Sequence, residues 1–333
     1  MGGGPSTPEL AAAVAGEGGL GFLAAGYKTA DAVRADIAAL RELSARPFGV
    51  NIFAPPGPAG DGAAVERFAG ELAGEADRYG APLGAPRHDD DGWADKLALV
   101  AELGVPVVSF AFGCPAAGDV QDLQRAGVAV WVTATTPAEA VHAARAGADA
   151  LVLQGAEAGG HRGSFDDGAP GEIGLLALLQ LVGAAVDLPL VATGGIATGR
   201  GVAAVLAGGA AAAAIGTAFM LCPEAATSPA HREAIAGDGD TALTRAFTGR
   251  TARGIVNRWL REHDAGAPSA YPDVHNLTAK VRVAARAQGD PDGFHLWAGQ
   301  AHALSSSEPA GELVARLWDE ARAALRTTST AAG

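Results

Sequence analysis

The amino-acid sequence predicts an α/β fold built as a parallel (β/α) barrel. Seven short apolar runs alternate with amphipathic segments along residues 18–219, and strands that are apolar throughout are typical of a parallel sheet buried on both faces. Glycine-rich loops follow the last two of these strands, which is where a TIM-type barrel commonly binds phosphate. A doubly wound sheet would also accommodate the alternation, but the two loops favour the barrel.

The predicted elements follow one another at short intervals. The strands are predicted at residues 18–24, 47–53, 105–112, 128–134, 150–154, 188–193 and 211–219. The helices between them are predicted at 30–43, 65–79, 93–103, 119–126, 137–146, 172–186 and 198–207. Val33, Ile37 and Leu40 recur at helical spacing. Thr136 followed by Pro137 is typical of a helix N-cap with proline at the first helical position.

The alternation of strands and helices ends at about Pro223. Segments 230–247, 277–287 and 308–325 have helical periodicity, and no further strand signal follows. We therefore predict a barrel domain over residues 1–222 and a helical substrate or lid domain over residues 223–333 that packs on the barrel.

Charge and composition limit the class of partner. The chain of 333 residues carries 37 acidic and 24 basic side chains, a net charge of −13, which argues against nucleic acid or an anionic membrane as a partner. A small anionic substrate stays compatible, since a local site can be positive inside an acidic protein. The N-terminal residues lack the basic and apolar regions of a secretory signal, and no run reads as a membrane span. A cytoplasmic protein is expected, and the oligomeric state stays open.

Residues 147–163 carry the strongest chemical signal. A strand ends at Gln154, and the glycine-rich loop after it contains Gly159, Gly160 and His161. In a barrel, this loop lies at the C-terminal face where active sites are built. The two glycines let the backbone approach a flat ligand closely, and His161 titrates near neutral pH, which suits acid–base chemistry. An ordinary loop histidine is the alternative interpretation, and Glu157 is interpreted as a hydrogen-bonding support for the loop.

Two further segments predict a phosphate site. Gly194 and Gly195 follow one strand, and the segment Ala214, Ile215, Gly216 and Thr217 ends the next. Together they offer backbone N–H groups and a helix N-terminus, which can cradle one phosphate, and Thr217 adds a hydroxyl. Tight βα turns without a ligand are the alternative interpretation.

The remaining candidates give weaker signals. No metal site is predicted, because Glu157 and His161 have no third ligand nearby. Cys114 and Cys222 are interpreted as small buried apolar residues. Five histidines of the C-terminal third have no recognisable partner spacing: His231, His263, His275, His295 and His302. Tyr271 and His275 are weak candidates for lining the substrate pocket, with packing or surface roles favoured.

Several motifs together resemble the nitronate monooxygenases, formerly called 2-nitropropane dioxygenases. Residues 154–163 resemble the signature loop of that family, and residues 47–53 and 108–113 resemble its third-strand and fourth-strand motifs. Residues 7–21, 246–255 and 296–300 resemble its opening and its C-terminal part. The resemblance therefore covers nearly the whole chain.

The resemblance implies a barrel with a helical substrate domain and one non-covalently bound FMN. By motif, Asn51, Gln154 and Gly159 would contact the flavin, Gly195 and residues 214–217 would hold its phosphate, and His161 would face the substrate. The implied activity is the oxidation of alkyl nitronates by O2 to a carbonyl compound and nitrite. Two other functions stay open: an FMN-dependent enoyl-thioester reductase that uses NAD(P)H, and a truncated, inactive flavin-binding homologue.

Two positions depart from the family pattern. In the family, a Met-Gly/Ala-Gly turn normally follows the first barrel strand. Here the matching residues are Met1-Gly2-Gly3, the first three of the sequence, so the strand expected before them has no counterpart. The resemblance therefore predicts a (β/α)8 barrel that lacks its first strand and leaves two sheet edges unpaired. The second departure is Ala214, where relatives often have a polar side chain.

Overall fold

A computed structural model describes residues 2–331 of the chain, and the side chains of residues 2–327. Its main sheet has seven strands, and every neighbouring pair is parallel. In their order across the sheet, these strands are β1 (Gly21–Ala24), β2 (Phe48–Phe53), β3 (Val107–Ala111), β4 (Ala129–Ala134), β5 (Ala150–Gln154), β7 (Leu190–Thr193) and β8 (Ala212–Ala214), while β6 (Gly160–His161) belongs to a second sheet. The sheet curls into a TIM-type barrel, which confirms the predicted fold class.

Helices alternate with the strands along the barrel and dominate the remainder of the chain. In the first part they are α1 (Pro8–Gly16), α2 (Ala30–Leu43), α3 (Gly62–Glu71), α4 (Ala73–Tyr79), α5 (Trp93–Glu102), α6 (Ala117–Arg125), α7 (Pro137–Ala146), α8 (Leu175–Gly183) and α9 (Gly199–Ala207). The later ones are α10 (Pro229–Ala236), α11 (Arg258–His263), α12 (Asp273–Ala287) and α13 (Ala310–Ala331). No helix within residues 2–331 combines the length and apolarity that a membrane span requires.

The barrel is open between β1 and β8. Within residues 2–331 no strand pairs with the outer edge of either one, which agrees with the expected lack of the first strand. Helix α1 packs tightly against β1, because a Cβ atom at Gly21 would lie 2.2 Å from the carbonyl oxygen of Ala11. Only glycine therefore allows this approach of the two backbones.

Local sequence explains most of the barrel helices. Helix α2 has the predicted bounds, with Thr29 capping its N-terminus and Val33, Ile37 and Leu40 each 1% exposed in the core.

Two predicted elements differ in extent. Residues 65–79 form two helices that a turn at Leu72 separates. The predicted strand 211–219 stops at Ala214, because the chain turns at Gly216 into a 3₁₀ helix over Thr217–Leu221.

The prediction of no further strands after Pro223 was wrong. Strands β9 (Thr241–Thr244) and β10 (Ala252–Ile255) form an antiparallel sheet with the two-residue strand β6 (Gly160–His161). The predicted helix over 230–247 accordingly ends at Ala236. These strands are short and do not alternate between polar and apolar residues, and β6 lies about ninety residues earlier in the chain. Local periodicity therefore could not indicate the pairing, which joins the His161 loop to the C-terminal third.

A second apolar core lies beside the barrel core. It joins Val65 and Phe68 of α3 to Trp259, Leu277 and other residues of the C-terminal third. Helix α13 returns to the barrel and packs along α9 and α1. The boundary at residue 222 stays a prediction, and the second core also includes residues of α3 and α4.

Candidate active site

One cavity of about 600 Å³ occupies the barrel interior at the carboxyl ends of the strands. Inward-facing strand residues line it, among them Ser109, Thr133, Gln154 and Thr193. Every site residue predicted from the sequence lies on its wall: Asn51, Gln154, Gly159, Gly160, His161, Gly194, Gly195, Ala214, Ile215, Gly216 and Thr217. The structure thus brings the predicted set together, and the individual roles stay predictions.

The loops after β7 and β8 form one part of the wall, which we call the glycine cradle (residues 194–197 and 214–217). Gly194 and Gly195 have φ values of 118° and 67°, in the region that glycine tolerates best. The backbone N–H groups of Gly195, Ile196 and Gly216 have no hydrogen-bond partner among the described residues. Thr217 accepts a hydrogen bond from the Gly299 N–H at 3.0 Å and keeps its own hydroxyl proton to donate.

The N-terminus of α9 is partly occupied by a side chain. The Gly199 N–H donates to Glu320 Oε2 of α13 at 3.0 Å, and the Gly201 N–H donates to Thr198 Oγ1. The predicted helix N-terminus therefore already faces a carboxylate. The uncommitted donors of this part of the wall belong to the glycine cradle instead.

The two amide side chains on the wall are used differently. Gln154 donates from Nε2 to the His161 carbonyl oxygen at 3.1 Å and accepts from the Gly163 N–H at 2.9 Å, so it holds the loop that carries His161. Asn51 donates to Ser109 at 2.9 Å and keeps its amide oxygen as an acceptor. Glu157 accepts from the Leu175 N–H at the start of α8, which confirms its supporting role.

His161 lies between the barrel loop and the C-terminal third. Its backbone pairs with Ala252 of β10, and its Nε2 lies 2.9 Å from Thr248 Oγ1. Because the Thr248 hydroxyl also contacts the Arg250 carbonyl oxygen at 3.3 Å, it can donate there and accept from a proton on Nε2. In this tautomer, Nδ1 of His161 is an unprotonated acceptor.

The surroundings keep His161 neutral. Burial lowers the pKa of His161 to about 3, and the positive charges of Arg250 and Arg282 act in the same direction. Desolvation and nearby cations both disfavour the imidazolium form. A neutral imidazole with an uncommitted Nδ1 can accept a proton or a hydrogen bond from a bound molecule.

Phe112 on the cavity wall has a strained backbone conformation. Its φ is 75°, although it is not glycine, and such backbone strain is often found at functional sites. The Arg250 guanidinium lies 4.2 Å from the centroid of its ring, and the ring of His161 lies at 5.7 Å, edge to face. Phe112 therefore contacts both a buried cation and the imidazole.

Helix α12 provides the opposite wall through what we call the α12 face (His275, Ala279, Arg282 and Arg286). Arg282 is 5% exposed and contacts the ring nitrogens Nδ1 of His275 at 3.3 Å and Nδ1 of His295 at 3.0 Å. Burial lowers the pKa of His275 to about 2 and that of His231 to about 4. It also lowers the pKa of His295 well below its usual value.

The sequence interpretation of these histidines needs correction. His231, His275, His295 and His302 line the cavity, although no partner spacing was recognised for them. The usable signal was the spacing of residues 275, 279, 282 and 286, which follows one face of a helix. Tyr271 packs edge to face on Phe112 and lines a neighbouring surface cavity.

The family model for nitronate monooxygenase matches residues 1–320 of the chain. A protein from Pseudomonas aeruginosa named nitronate monooxygenase is 43% identical over 96% of this chain and 94% of its own length. Among solved structures, a nitroalkane oxidase from Streptomyces ansochromogenes has a TM-score of 0.95 and 52% identity, covering 98% of this chain and 95% of its own. FabK from Thermotoga maritima is more distant, with a TM-score of 0.77 and 28% identity over 98% of this chain and 92% of its own.

Proposed function

Because the chain belongs to the nitronate monooxygenase family, we propose that it uses FMN and O2 to oxidise small alkyl nitronates to a carbonyl compound and nitrite. The observation that supports this best is the pairing, on one cavity wall, of a neutral His161 with the uncommitted N–H donors of the glycine cradle. His161 can accept or donate a substrate proton, and the N–H donors of the glycine cradle can bind a phosphate.

The cavity residues fit FMN chemically. The N–H groups of Gly195, Ile196 and Gly216 lack partners among the described residues, and such donors suit the oxygens of a phosphate. Gly160 lines the cavity, and nothing lies within 4 Å of where a Cβ would stand there, whereas Gly159 allows the close approach of Ala298 and Gly299. The Asn51 amide oxygen can accept from a ring N–H. FMN, when bound, supplies the redox chemistry of the reaction.

His161 is proposed to act on the substrate proton. Its Nδ1 would accept the α-proton of a neutral nitroalkane while Thr248 holds the proton on Nε2. The resulting imidazolium would then donate from Nδ1 to the oxygens of the nitronate. When the substrate arrives already as a nitronate, the other tautomer would orient it: Thr248 would donate to Nε2, and the Nδ1–H of the ring would donate to a nitronate oxygen.

Buried cations would favour the anionic form of the substrate. Arg250 and Arg282 lie close enough to depress the pKa of His161, so the same positive field would stabilise a nitronate beside that ring. The aromatic rings of Phe112 and Trp297 flank His161 at 5.7 and 5.4 Å, which limits the access of water to the reacting carbon.

An aerobic assay tests the proposed function. The visible spectrum of the purified protein is recorded first, and oxygen uptake and nitrite are then followed with propyl 1-nitronate. A flavin spectrum with nitrite formed in proportion to nitronate is expected.

Two other results would contradict the proposal. Steady NADH or NADPH oxidation with an enoyl thioester, without nitrite from the nitronate, would assign the chain to the reductases. A protein that neither carries nor takes up FMN would indicate an inactive homologue.

A further inference from the structure

His302 is a buried residue of the cavity wall whose two ring nitrogens both face backbone carbonyl oxygens. Nδ1 lies 3.0 Å from the carbonyl oxygen of Ile235, and Nε2 lies 2.8 Å from that of Gly239. A carbonyl oxygen only accepts, whereas a neutral imidazole has one N–H and one lone pair. Both contacts can therefore be hydrogen bonds only if both ring nitrogens carry a proton.

We propose that His302 is an imidazolium that orients the glycine cradle and adds a positive charge to the wall beside it, so that the cavity selects a phosphate-bearing flavin over riboflavin. The protonation of His302 rests on the geometry alone. The effect on the flavin rests on the proposed function.

The surroundings of His302 suit a cation. Ile235 lies in the last turn of α10, where the carbonyl oxygens of a helix carry partial negative charge. His302 is 4% exposed, so its two charge-assisted hydrogen bonds take the place of hydration. A neutral ring would instead bring a nitrogen lone pair within 3.0 Å of a carbonyl oxygen, which is costly in a buried site.

No carboxylate of the described residues forms an ion pair with His302. The segments packed against it, α10 and the loop that follows, carry the titratable or charged groups His231, Arg232, Glu233, Asp238 and Asp240. His231 is neutral, because burial lowers its pKa to about 4, and Arg232 donates to four backbone carbonyl oxygens. The three acidic side chains are exposed. His302 therefore brings an uncompensated positive charge to the cavity wall.

Gly299 connects His302 with the glycine cradle. The His302 N–H donates to the Gly299 carbonyl oxygen at 3.1 Å, and the Gly299 N–H donates to Thr217 Oγ1 at 3.0 Å. The second bond occupies a lone pair of the Thr217 hydroxyl and leaves its proton to be donated into the cavity. Because the His302 ring is held at both nitrogens, it fixes the segment that aims this hydroxyl.

The charge of His302 acts on the group that the cradle would hold. His302, Gly299 and Thr217 line the same cavity, and a cation beside the cradle attracts the negative charge of a phosphate. Riboflavin has the ring system of FMN but ends in a neutral hydroxyl, which gains nothing from this charge. His302 is thus a positioning residue that determines cofactor specificity.

The protonation of His302 can be measured directly by NMR. The histidine rings are labelled with ¹⁵N, and the His302 signals are identified by their absence from the spectrum of His302→Lys. At pH 7 both ring nitrogens of His302 are expected to carry a proton, whereas the buried ring of His231 should carry one. A ring nitrogen of His302 without a proton would overturn the proposal.

Two substitutions then separate charge from packing. His302→Lys keeps a cation with several N–H donors, and His302→Gln keeps amide donors without the charge. In titrations of the flavin-free protein, the dissociation constant of FMN should rise about ten-fold in His302→Gln and stay within about three-fold of the wild type in His302→Lys. Riboflavin affinity should change by less than about three-fold in both variants. His142→Gln is the matched control, because His142 is exposed on α7 and lies outside the cavity wall.

The two flavins also distinguish the possible failures. Equal losses of FMN and riboflavin affinity in His302→Gln would mean that His302 only supports the fold, and would overturn the selection of a phosphate. If the wild type binds neither flavin although the His302 ring carries both protons, the proposed function fails and the imidazolium stands.

Discussion

The glycine cradle and the α12 face line the same cavity but are built in different ways. The cradle consists of strand ends and offers neutral backbone N–H groups. The α12 face consists of side chains, with two arginines that lack carboxylate partners among the described residues and with His275, which burial keeps neutral. The sheet determines the shape of the glycine cradle, whereas helix α12 and its packing determine the charge of the α12 face. We expect the cradle to govern cofactor binding and the α12 face to govern substrate choice.

His161 connects the two regions, and its replacement should have the largest effect. In His161→Asn, turnover of the neutral nitroalkane 1-nitropropane is expected to fall about 10²- to 10⁴-fold, the usual contribution of acid–base catalysis. FMN should remain bound, because the cradle is untouched. Steady-state oxygen uptake and the flavin spectrum check the two statements separately.

His142→Asn is the control for this substitution, since His142 lies on α7 outside the cavity wall. Unchanged kinetics in His161→Asn would remove His161 from the chemistry. Loss of FMN together with turnover would mean that the two regions are not functionally separate.

Gly195→Val tests the cradle by itself. The residue has a φ of 67°, and an added Cβ would lie 3.0 Å from the Cβ of Glu157, so a β-branched side chain both strains and fills the loop. The dissociation constant of FMN should rise by at least about ten-fold, corresponding to roughly 1–3 kcal/mol of strain. Gly209→Val is matched, because Gly209 also has a positive φ (100°) but lies in open space away from the cavity. Equal loss of FMN in both variants would contradict a local role for the cradle.

The difference between the two regions also explains what sequence reasoning could find. Gly194, Gly195 and Gly216 stand directly after apolar strands, and a parallel sheet brings such loops to one end. Their position was therefore predictable from local pattern. The bounds of α2 were predictable for the same reason.

The α12 face and the small sheet depend on contacts between distant parts of the chain. Arg282 meets His295 only because the segment after α12 folds back, and β6 pairs with β10 across ninety residues of sequence. Neither contact leaves a periodic signal in the amino-acid order. Arginine on a polar helix face normally indicates solvent exposure, so its burial was hidden until the structure placed it.

The pH dependence of stability should identify the buried histidines of the cavity wall. Burial lowers the pKa of His275 to about 2, of His161 to about 3 and of His231 to about 4, whereas an unfolded histidine titrates near 6.5. Below about pH 6.5 the unfolded state thus binds more protons than the folded state, and stability falls as the pH falls. Each histidine contributes about 1.4 kcal/mol per pH unit in this range.

The variant His275→Gln checks this assignment. Its free energy of unfolding, measured with urea between pH 7 and 4.5, should depend on pH less steeply by about one proton. Glutamine keeps an acceptor for Arg282, so the variant should still fold. His142→Asn, outside the cavity, serves again as the control. If the free energy of unfolding of His275→Gln depends on pH as steeply as that of the wild type, His275 is solvated and water reaches the α12 face.

Glu320 offers the smallest and most discriminating change. Its carboxylate accepts from the Gly199 N–H at the start of α9 and pairs with Arg316, and the Gly199 hydrogen bond, followed by Arg316, lowers its pKa. The pair with Arg316 is substantially exposed, so Glu320→Gln should cost less than about 1 kcal/mol of stability. If the loop donors of the glycine cradle hold the phosphate, the FMN affinity of Glu320→Gln should stay within about two-fold of the wild type.

If the α9 N-terminus holds the phosphate instead, removing the competing negative charge of Glu320 should tighten FMN binding several-fold. Asp319→Asn, an exposed neighbour with the same charge change, separates this local effect from the net charge. Fluorescence titration of FMN against the three proteins therefore decides whether the cradle acts through its loops or through the helix.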